Sequence, residues 1–364
     1  MEQRDHGLDE LRLLCMVMLA VYHVINYYHG QSVNMQISGY RALVIQNLFW
    51  GGGRMICNVF LMISAWFLCD KPFRFERIAR TWLTVLLYSL ACGAVHYVEK
   101  RDAAVLVKYL FPVSNAVVWY ASAYIAVLML SPFLNLILHK AGMRGRAVTV
   151  CILFAAVSVL PSFYPKSYLQ FTNTGWFALL YLVTGLIKQG RLTLNRSHAC
   201  FLFFAGWIMA IGFYNWYDYA VLHHALAWIF EQLGFYKNMY FAMLSSLPCF
   251  LSAAGLFLLF LNRGGKTGIS RFHAWGGGGK LACASLDVYI LSSIAGINGK
   301  LFWIELLRLK EPQSAAACYL YALLGIGAGV LCGNVREFFY RKYVRNNHHY
   351  KNFCQKIDLY IMQG

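Results

Sequence analysis

Charged residues are scarce in this sequence of 364 residues, and acidic residues are the scarcer kind. Only 13% of the residues are charged, 59% are hydrophobic, and Asp and Glu together number 15. The mean hydropathy is +0.51. A water-soluble domain of this length does not have enough interior to bury so much apolar surface. The composition therefore excludes an ordinary soluble protein and indicates a polytopic membrane protein.

The sequence also lacks the motifs that mark redox, metal and nucleotide sites. Its eleven cysteines occur singly, with no Cys-x-x-Cys pair and no second ligand at metal-binding spacing, so we expect no metal site. The glycine run at 276–279 lacks the Lys-Ser or Lys-Thr of a phosphate loop. The first apolar run, 11–28, has no small-residue cleavage site, so we expect it to remain as an anchor.

Apolar runs recur about ten times along the chain, separated by short polar breaks. A transmembrane helix needs roughly 20 apolar residues. We predict an all-α, polytopic protein with transmembrane helices at 11–28, 44–69, 80–98, 115–138, 147–163, 174–187, 199–216, 239–261, 281–299 and 314–334. Residues 1–335 would form one membrane domain, followed by a basic cytoplasmic tail at 336–364.

Basic residues are abundant, and their placement predicts the orientation of the helices. The net charge of +17 would suggest a nucleic-acid partner for a soluble protein. Here the basic residues lie in short loops, as expected when positive charge holds loops in the cytoplasm. With the N-terminus inside, 22 of the 32 Lys and Arg residues fall on the cytoplasmic side and 9 on the outer side. We therefore predict cytoplasmic termini, a lipid-bilayer environment and no nucleic-acid partner.

Two ionisable residues fall within the early apolar runs, where a charge costs about 2.5–3.5 kcal/mol. His23 lies eleven residues after Arg12, about 16 Å along a helix. Arg54 lies about ten residues into the second predicted span. We expect the two to face one cavity, where a neutral imidazole can accept and return a proton. The alternatives are a hydrogen-bonded packing role for His23 and a snorkelling or carbonyl-paired arginine at position 54.

A row of arginines precedes the third apolar run. Arg74, Arg77 and Arg80 are spaced three residues apart, which places them near one another on a helix surface. Guanidinium groups bind phosphate and pyrophosphate oxygens bidentately. The row therefore predicts a phosphate site, with a purely orienting positive charge as the alternative.

These segments resemble the acyltransferase family 3 integral membrane proteins over nearly the whole chain. The first helix of that family carries Arg, ten residues, then His, and its third helix carries Arg-x-x-Arg. The matching segments here are Leu8 to Arg12 with His23, 53–64, Arg77 with Arg80, 119–124 and 130–135.

The resemblance implies transfer of an acyl group, most simply acetyl, from cytoplasmic acyl-coenzyme A to a hydroxyl of a cell-envelope carbohydrate or lipid-linked glycan. It implies His23, Arg12 and Arg54 as catalytic residues, and Arg74, Arg77 and Arg80 as donor-binding residues. Substrate-binding roles are implied for residues of the matching segments, namely Asp9, Asn58, Ser64 and Tyr124. The implied location is the bacterial inner or plasma membrane, as a monomer or a homo-oligomer.

The ninth span departs from the family pattern. Where many members read Gly-Val-Tyr-Leu-Ile-His, this chain reads from Asp287 to Ser292 and so loses the His and gains an Asp. Ser64-Ala65 stands where Ser-Gly is usual. An intramembrane Asp needs a partner or a proton. We predict that Asp287 forms an ion pair with a cytoplasmic Lys or Arg such as Lys280, with a protonated Asp287 in the cavity as the alternative.

Two other functions use some of the same residues. A glycan or polyanion transporter or flippase would line its path with His23 and Arg54 without making a bond. A lipid-phosphosugar glycosyltransferase or polymerase is disfavoured, because such enzymes generally need a carboxylate in an outer loop or cavity and residues 29–43 contain none.

The charge distribution makes the first testable prediction, which concerns topology. A reporter fused after Gly364 should be cytoplasmic, and one inserted near Tyr164 should be external, because basic loops are retained inside. Dual-reporter fusions measure both positions. An external C-terminus would refute the ten-helix topology.

Overall fold

The fold is known from a computed structural model. It describes residues 6–28, 53–101, 103–140, 142–166, 171–223, 228–229, 232, 234–235, 240–261, 284–299 and 315–363. Every regular element within these ranges is helical, and no strand occurs among them. The predicted all-α class is confirmed.

The helices are numbered here in chain order. They are α1 (His6–Tyr28), α2 (Gly53–Leu68), α3 (Phe75–Lys100), α4 (Ala104–Leu110), α5 (Trp119–Lys140), α6 (Met143–Phe163), α7 (Asn173–Gln189), α8 (Arg196–Leu222), α9 (Leu247–Leu261), α10 (Ser285–Gly299), α11 (Ala315–Phe339) and α12 (His348–Gln363). A π-helical segment, Ala155–Val159, lies within α6, and another, Tyr340–Arg345, continues α11. A 3-10 turn at Tyr240–Ala242 precedes α9.

Each of the ten predicted spans overlaps one of these helices, and α4 and α12 are additional. Six helical segments in the described ranges are long and apolar enough to cross a membrane: α3, α5, α6, α8, α11 with its π-helical extension, and Tyr240–Leu261. The helices α2, α7 and α10 have 16, 17 and 15 residues. Their length alone therefore does not identify them as membrane spans.

The first helix begins five residues before the predicted start at Leu11. Asp9 lies in its first turn, where a carboxylate is favoured by the helix dipole, and pairs with Arg12 at 3.6 Å. The charged cluster is thus part of the helix. Asp9 and Glu10 are both buried.

The predicted start of the second span, residue 44, lies outside the described residues, and α2 is described from Gly53. One other boundary differs from the sequence prediction. At the other end of the chain, α11 continues through the predicted boundary between residues 335 and 336, and its π-helical extension reaches Arg345. The last long helix and the basic tail are therefore continuous.

The centre of the fold is α2, which packs against α1, α5, α7 and α9. Ile56, Val59, Leu61 and Met62 are fully buried along it. A helix that is apolar around its whole circumference belongs in a protein interior. Functional side chains on α2 are consequently held by neighbours on every side.

The helices α8 and α9 approach closely at two glycines. A Cβ atom at Gly206 would lie 2.4 Å from the carbonyl oxygen of Pro248, and one at Gly255 would lie 2.4 Å from the backbone nitrogen of Phe203. Small residues permit such backbone contact between apolar helices. This pair forms one wall of the bundle next to α2.

The outward surface of the bundle is apolar. Phe133, Phe201, Ile208 and Leu331 are each about two-thirds exposed, on α5, α8 and α11. Large apolar patches are uncommon on the surface of soluble monomers. Contact with lipid accounts for this surface.

Asp287 anchors α10 to α11 and α3. Arg336 donates to its carboxylate through Nε to Oδ1 at 2.6 Å and through Nη2 to Oδ2 at 3.0 Å, and the Tyr88 hydroxyl donates to Oδ1 at 2.9 Å. Gly333 leaves room for this pair, because a Cβ atom there would lie 2.8 Å from Oδ2. The predicted ion pair of Asp287 is confirmed, with Arg336 as its partner, and Lys280 lies outside the described residues.

The Asp287–Arg336 pair is predicted to stabilise the fold. Asp287→Asn should lower the free energy of unfolding by about 3 kcal/mol, because it removes the bidentate counterion of the largely buried Arg336 guanidinium and leaves only Glu337, at 3.5 Å. The double variant Asp287→Asn/Arg336→Gln should lose less than the sum of the two single variants. Thermal unfolding of the detergent-solubilised protein measures both effects.

The control is the exposed pair of Asp70 and Lys188, for which Asp70→Asn should cost at most about 1 kcal/mol. If Asp287→Asn were as stable as the unmodified protein but unable to catalyse, the carboxylate would belong to the chemistry instead.

Candidate active site

Two adjoining cavities lie between the helices that carry the predicted site residues. The His23 cavity, of about 250 Å³, is lined among others by His23, Arg54 and Trp119. The Arg12 cavity, of about 180 Å³, is lined among others by Arg12 and Ser64. The cavities share part of their walls, so they can be considered as one site with two ends.

One face of α1 lines both cavities. Arg12 and His23 are eleven residues apart, which is just over three helical turns, so they project in nearly the same direction about 16 Å from each other. Leu19 lies on the same stripe and contributes to both cavities. The helical period itself therefore places a cation at one end of the site and an imidazole at the other.

Ser292 of α10 holds the imidazole of His23. The Nδ1 atom of His23 lies 2.8 Å from the hydroxyl oxygen of Ser292, and that hydroxyl donates to the carbonyl oxygen of Tyr289 at 3.0 Å. The remaining ring nitrogen, Nε2, is the one available to a ligand in the cavity. His23 is thus both oriented and able to take part in chemistry.

Arg54 is the second residue of α2 as described, and the part of the predicted span that precedes it, 44–52, lies outside the described residues. Arg54 lines the same cavity as His23, as predicted. Arg54 forms no ion pair with any residue in the described part of the chain. Its charge is available to a group that enters the His23 cavity.

The Arg12 cavity combines polar groups from three helices. Arg12 comes from α1, Ser64 from α2 and Tyr124 from α5. The structure therefore brings three of the predicted site residues together here.

The shared wall of the two cavities is formed by Leu19, Cys57 and Tyr289. A series of ring contacts runs across it: His23 to Tyr289 at 5.9 Å, Tyr289 to Tyr120 at 5.3 Å and Tyr120 to Tyr124 at 6.3 Å between centroids. Aromatic side chains form a rigid apolar lining. A ligand that spans both cavities would pass along these rings.

The three arginines of the predicted phosphate row have different neighbours. Arg80 donates to Glu337 at 2.7 Å and lies over the ring of Tyr340 at 5.5 Å, so its charge is compensated. Arg77 donates to the carbonyl oxygen of Pro72 at 3.1 Å. Arg74 lines a third, larger cavity. The three guanidinium groups therefore do not form one continuous binding surface.

This third cavity, of about 420 Å³, lies between the start of α3 and the C-terminal helix α12, and is called the tail pocket. Its lining includes three cations, Arg74, Arg345 and Lys351, and two acids, Glu76 and Asp358. Both acids are engaged by protein groups. Arg345 lies 3.5 Å from Glu76, and the backbone N–H of Phe75 donates to Asp358 at 2.6 Å.

The tail pocket therefore has free positive charge. Arg74 and Lys351 form no ion pair within the ranges that the structure describes. Burial raises the pKa of the Cys354 thiol in the pocket wall, so the thiol stays protonated at neutral pH and adds no negative charge. The pocket is suited to an anion.

Asn58 and Asp9 lie near the site but line neither the His23 nor the Arg12 cavity. The amide oxygen of Asn58 accepts from the indole of Trp176 at 2.9 Å, and its amide nitrogen donates to the carbonyl oxygen of Leu244 at 2.8 Å. Buried amides of this kind fix helix packing. Asp9 pairs with Arg12 at 3.6 Å and so positions that guanidinium.

Several residues of the site could not be identified from the sequence pattern. Cys57 and Tyr289 line both cavities, and Ser292 holds His23, yet each is an ordinary residue in an apolar run. Ser292 and Tyr289 lay in the segment that departs from the family pattern, which was the available indication. The contribution of Arg345 and Lys351 depends on how the tail folds back.

Comparison with known proteins identifies the family. The model of the acyltransferase 3 domain matches residues 5–325. The chain belongs to the acyltransferase 3 family. No curated protein and no solved structure matches it.

Membership of this family, together with the apolar helices, makes the chain a membrane acyltransferase. Both the His23 and the Arg12 cavities lie within the matched acyltransferase domain. Arg345 and Lys351 of the tail pocket follow it in the chain. The tail pocket is thus built partly outside the region that defines the family.

Proposed function

We propose that this acyltransferase moves an acyl group, most simply acetyl, from acyl-coenzyme A to a hydroxyl group of a cell-envelope carbohydrate or lipid-linked glycan. The observation that carries the proposal is the arrangement of His23 and Arg54 in one cavity, joined to a second cavity that contains Arg12, Ser64 and Tyr124. The reaction needs a base at the acceptor hydroxyl and a positive or hydrogen-bonding group at the carbonyl oxygen. This site offers both.

His23 acts as the general base. The acceptor oxygen attacks the thioester carbonyl carbon while its proton passes to Nε2 of His23. The tetrahedral intermediate then collapses, the carbon–sulfur bond breaks, and the thiol of coenzyme A leaves with the proton from the imidazolium. A base is needed because an alkoxide is not accessible at neutral pH.

Arg54 stabilises the negative charge that develops on the carbonyl oxygen. It lines the cavity that contains His23, and a cation in a site shielded from water interacts strongly with such a charge. Ser64 and Tyr124 lie at the other end, where they orient the donor.

The phosphates of the donor bind at the tail pocket, next to Arg74 and Lys351, with Arg77 between that pocket and the Arg12 cavity. Arg77 interacts electrostatically with Arg74 and Asp358 of the tail pocket and with Tyr124 of the Arg12 cavity. The long pantetheine arm of coenzyme A then extends past Arg12 toward His23. Arg80, which is paired with Glu337, supports this end of α3 rather than contacting phosphate.

The proposed setting is a bacterial inner or plasma membrane with ten transmembrane helices and both termini in the cytoplasm. The positive charge on the cytoplasmic side supports this orientation. The tail pocket follows α11 and would then face the cytoplasm, where acyl-coenzyme A is present. The acceptor would reach the His23 cavity from the opposite side.

Proteoliposomes with labelled acetyl-coenzyme A test the proposal directly. Covalent label on a glycan is the expected result. Movement of unmodified glycan across the membrane, without label transfer, would support the transporter alternative, which uses the same two cavities without bond formation.

His23→Ala should lower the rate of acyl transfer by about 10²–10⁴-fold, which is the usual contribution of a general base. Donor affinity should persist, because the donor phosphates lie at the other end of the site. Turnover and coenzyme A binding are measured on the same purified sample.

The matched control is His96→Ala, which removes an imidazole bonded to the Tyr109 hydroxyl at 2.8 Å, away from both cavities. It should retain turnover. Near-normal turnover of His23→Ala would return His23 to a packing role.

Arg77→Ala and Lys351→Ala should each weaken coenzyme A binding by about tenfold, because a hydrogen bond to a charged group contributes about 1.5–3 kcal/mol when buried and less when exposed. Arg77→Lys should weaken coenzyme A binding less than Arg77→Ala. Lysine keeps the positive charge and loses only the bidentate hydrogen bonding of the guanidinium. Calorimetry on the solubilised protein gives the affinities.

The controls for donor binding are Arg144→Ala and Lys356→Ala, which remove exposed cations outside the tail pocket. Their affinity for coenzyme A should be unchanged. Equal losses in the controls and in the test variants would mean that general positive charge, not a defined pocket, attracts the donor.

A further inference from the structure

Ser292 has one proton and two neighbours that compete for it. Its hydroxyl oxygen lies 2.8 Å from Nδ1 of His23 and 3.0 Å from the carbonyl oxygen of Tyr289. A carbonyl oxygen can only accept a hydrogen bond, whereas a neutral imidazole nitrogen either donates or accepts. The bond to the carbonyl therefore uses the hydroxyl proton, and the bond to His23 has to be made with a proton that the ring supplies.

We infer that Ser292 is a positioning residue that sets the tautomer of His23, with the proton on Nδ1 and the lone pair on Nε2. The inference rests on the proposed role of His23 as the base. Nδ1–H donates to the hydroxyl oxygen of Ser292, and Nε2 faces the acceptor hydroxyl. The opposite tautomer would present a hydrogen-bond donor to the nucleophile and could not remove its proton.

The surroundings of Ser292 favour positioning over direct chemistry. Its side chain is 7% exposed and lines neither the His23 nor the Arg12 cavity. A serine that attacked the thioester itself would need access to the donor. The contact also spans 269 positions of the chain, so it locks the ring of α1 to α10.

The hydroxyl is also held in one orientation by its helix. The bond to the carbonyl three residues earlier is a local contact that serines make within helices. Because Tyr289 belongs to the shared cavity wall, the same turn of α10 both shapes the site and orients His23. A neutral hydroxyl fixes the tautomer without adding charge to the cavity.

Ser292→Ala tests the inference. It should lower kcat by about 10- to 100-fold, as is usual when a group that orients a ligand or base is lost, with donor affinity unchanged. Ser292→Thr should recover most of the rate, because threonine keeps a hydroxyl that can bond the same carbonyl.

Ser131→Ala is the matched control. Ser131 is also 7% exposed and donates to a carbonyl three residues earlier, that of Leu128 at 2.7 Å, but it lies on α5 outside both cavities. Both alanine variants lose the same kind of local bond, so the difference in kcat between them reports the contact with His23. Equal turnover in the two variants would overturn the inference.

Nitrogen NMR of protein labelled with ¹⁵N-histidine supplies a readout that does not depend on turnover. The His23 signals, assigned by their loss in His23→Gln, should show a protonated Nδ1 and an unprotonated Nε2, and Ser292→Ala should shift them toward a tautomer mixture. A wild-type signal with the proton on Nε2 would overturn the tautomer assignment even if His23 proved essential.

Mass spectrometry separates positioning from covalent catalysis. After incubation with acyl donor in the absence of acceptor, the wild-type protein should carry no acyl group on Ser292. An acylated Ser292 would make the serine a nucleophile and overturn the positioning role. Failure of the proposed function itself would appear separately, as normal turnover in His23→Ala.

Discussion

The period of a single helix governs the geometry of the site. Eleven residues complete just over three turns, so Arg12 and His23 project from the same side of α1, about 16 Å apart. The residues of α2, α5 and α10 that line the two cavities are arranged along this stripe. The spacing links a cation near the start of the helix to an imidazole near its end, and it requires no loop or domain movement to do so.

The apolar setting explains which polar groups are structural and which are functional. An uncompensated polar group inside a bilayer is costly, and Asp287, Arg336, Arg80 and Asn58 all have close protein partners. By contrast, Arg54 faces a cavity without an ion pair in the described part of the chain. An arginine without an ion pair is costly in an apolar setting, and this cost is offset when a reacting substrate develops the complementary negative charge next to Arg54.

The features that depend on local pattern could be predicted from sequence. Apolar runs located a helix at each of the ten predicted positions, of which six are long and apolar enough to cross a membrane in the described ranges, and residue spacing placed His23 with Arg54. Contacts between distant helices could not be predicted in this way. The bond between His23 and Ser292 and the bond between Asn58 and Trp176 join positions 269 and 118 residues apart, and nothing in the local pattern of either segment specifies its partner. The separation of Arg80 from the other two arginines has the same origin, since Glu337 and Tyr340, which engage it, come from α11 and its π-helical extension.

The role of α10 follows from three residues within two turns. Asp287 ties the helix to α11 and α3, Tyr289 forms the shared wall of the cavities, and Ser292 holds His23. Gly329 and Gly333 allow α11 to approach closely enough for the ion pair, because a Cβ atom at either position would fall within 3 Å of α10. A displacement of α10 would therefore alter the orientation of His23 directly, whereas it would reach the tail pocket only through α3 and the π-helical extension of α11, which carries Arg345. Loss of the anchor at Asp287 should consequently impair proton transfer before it impairs donor binding.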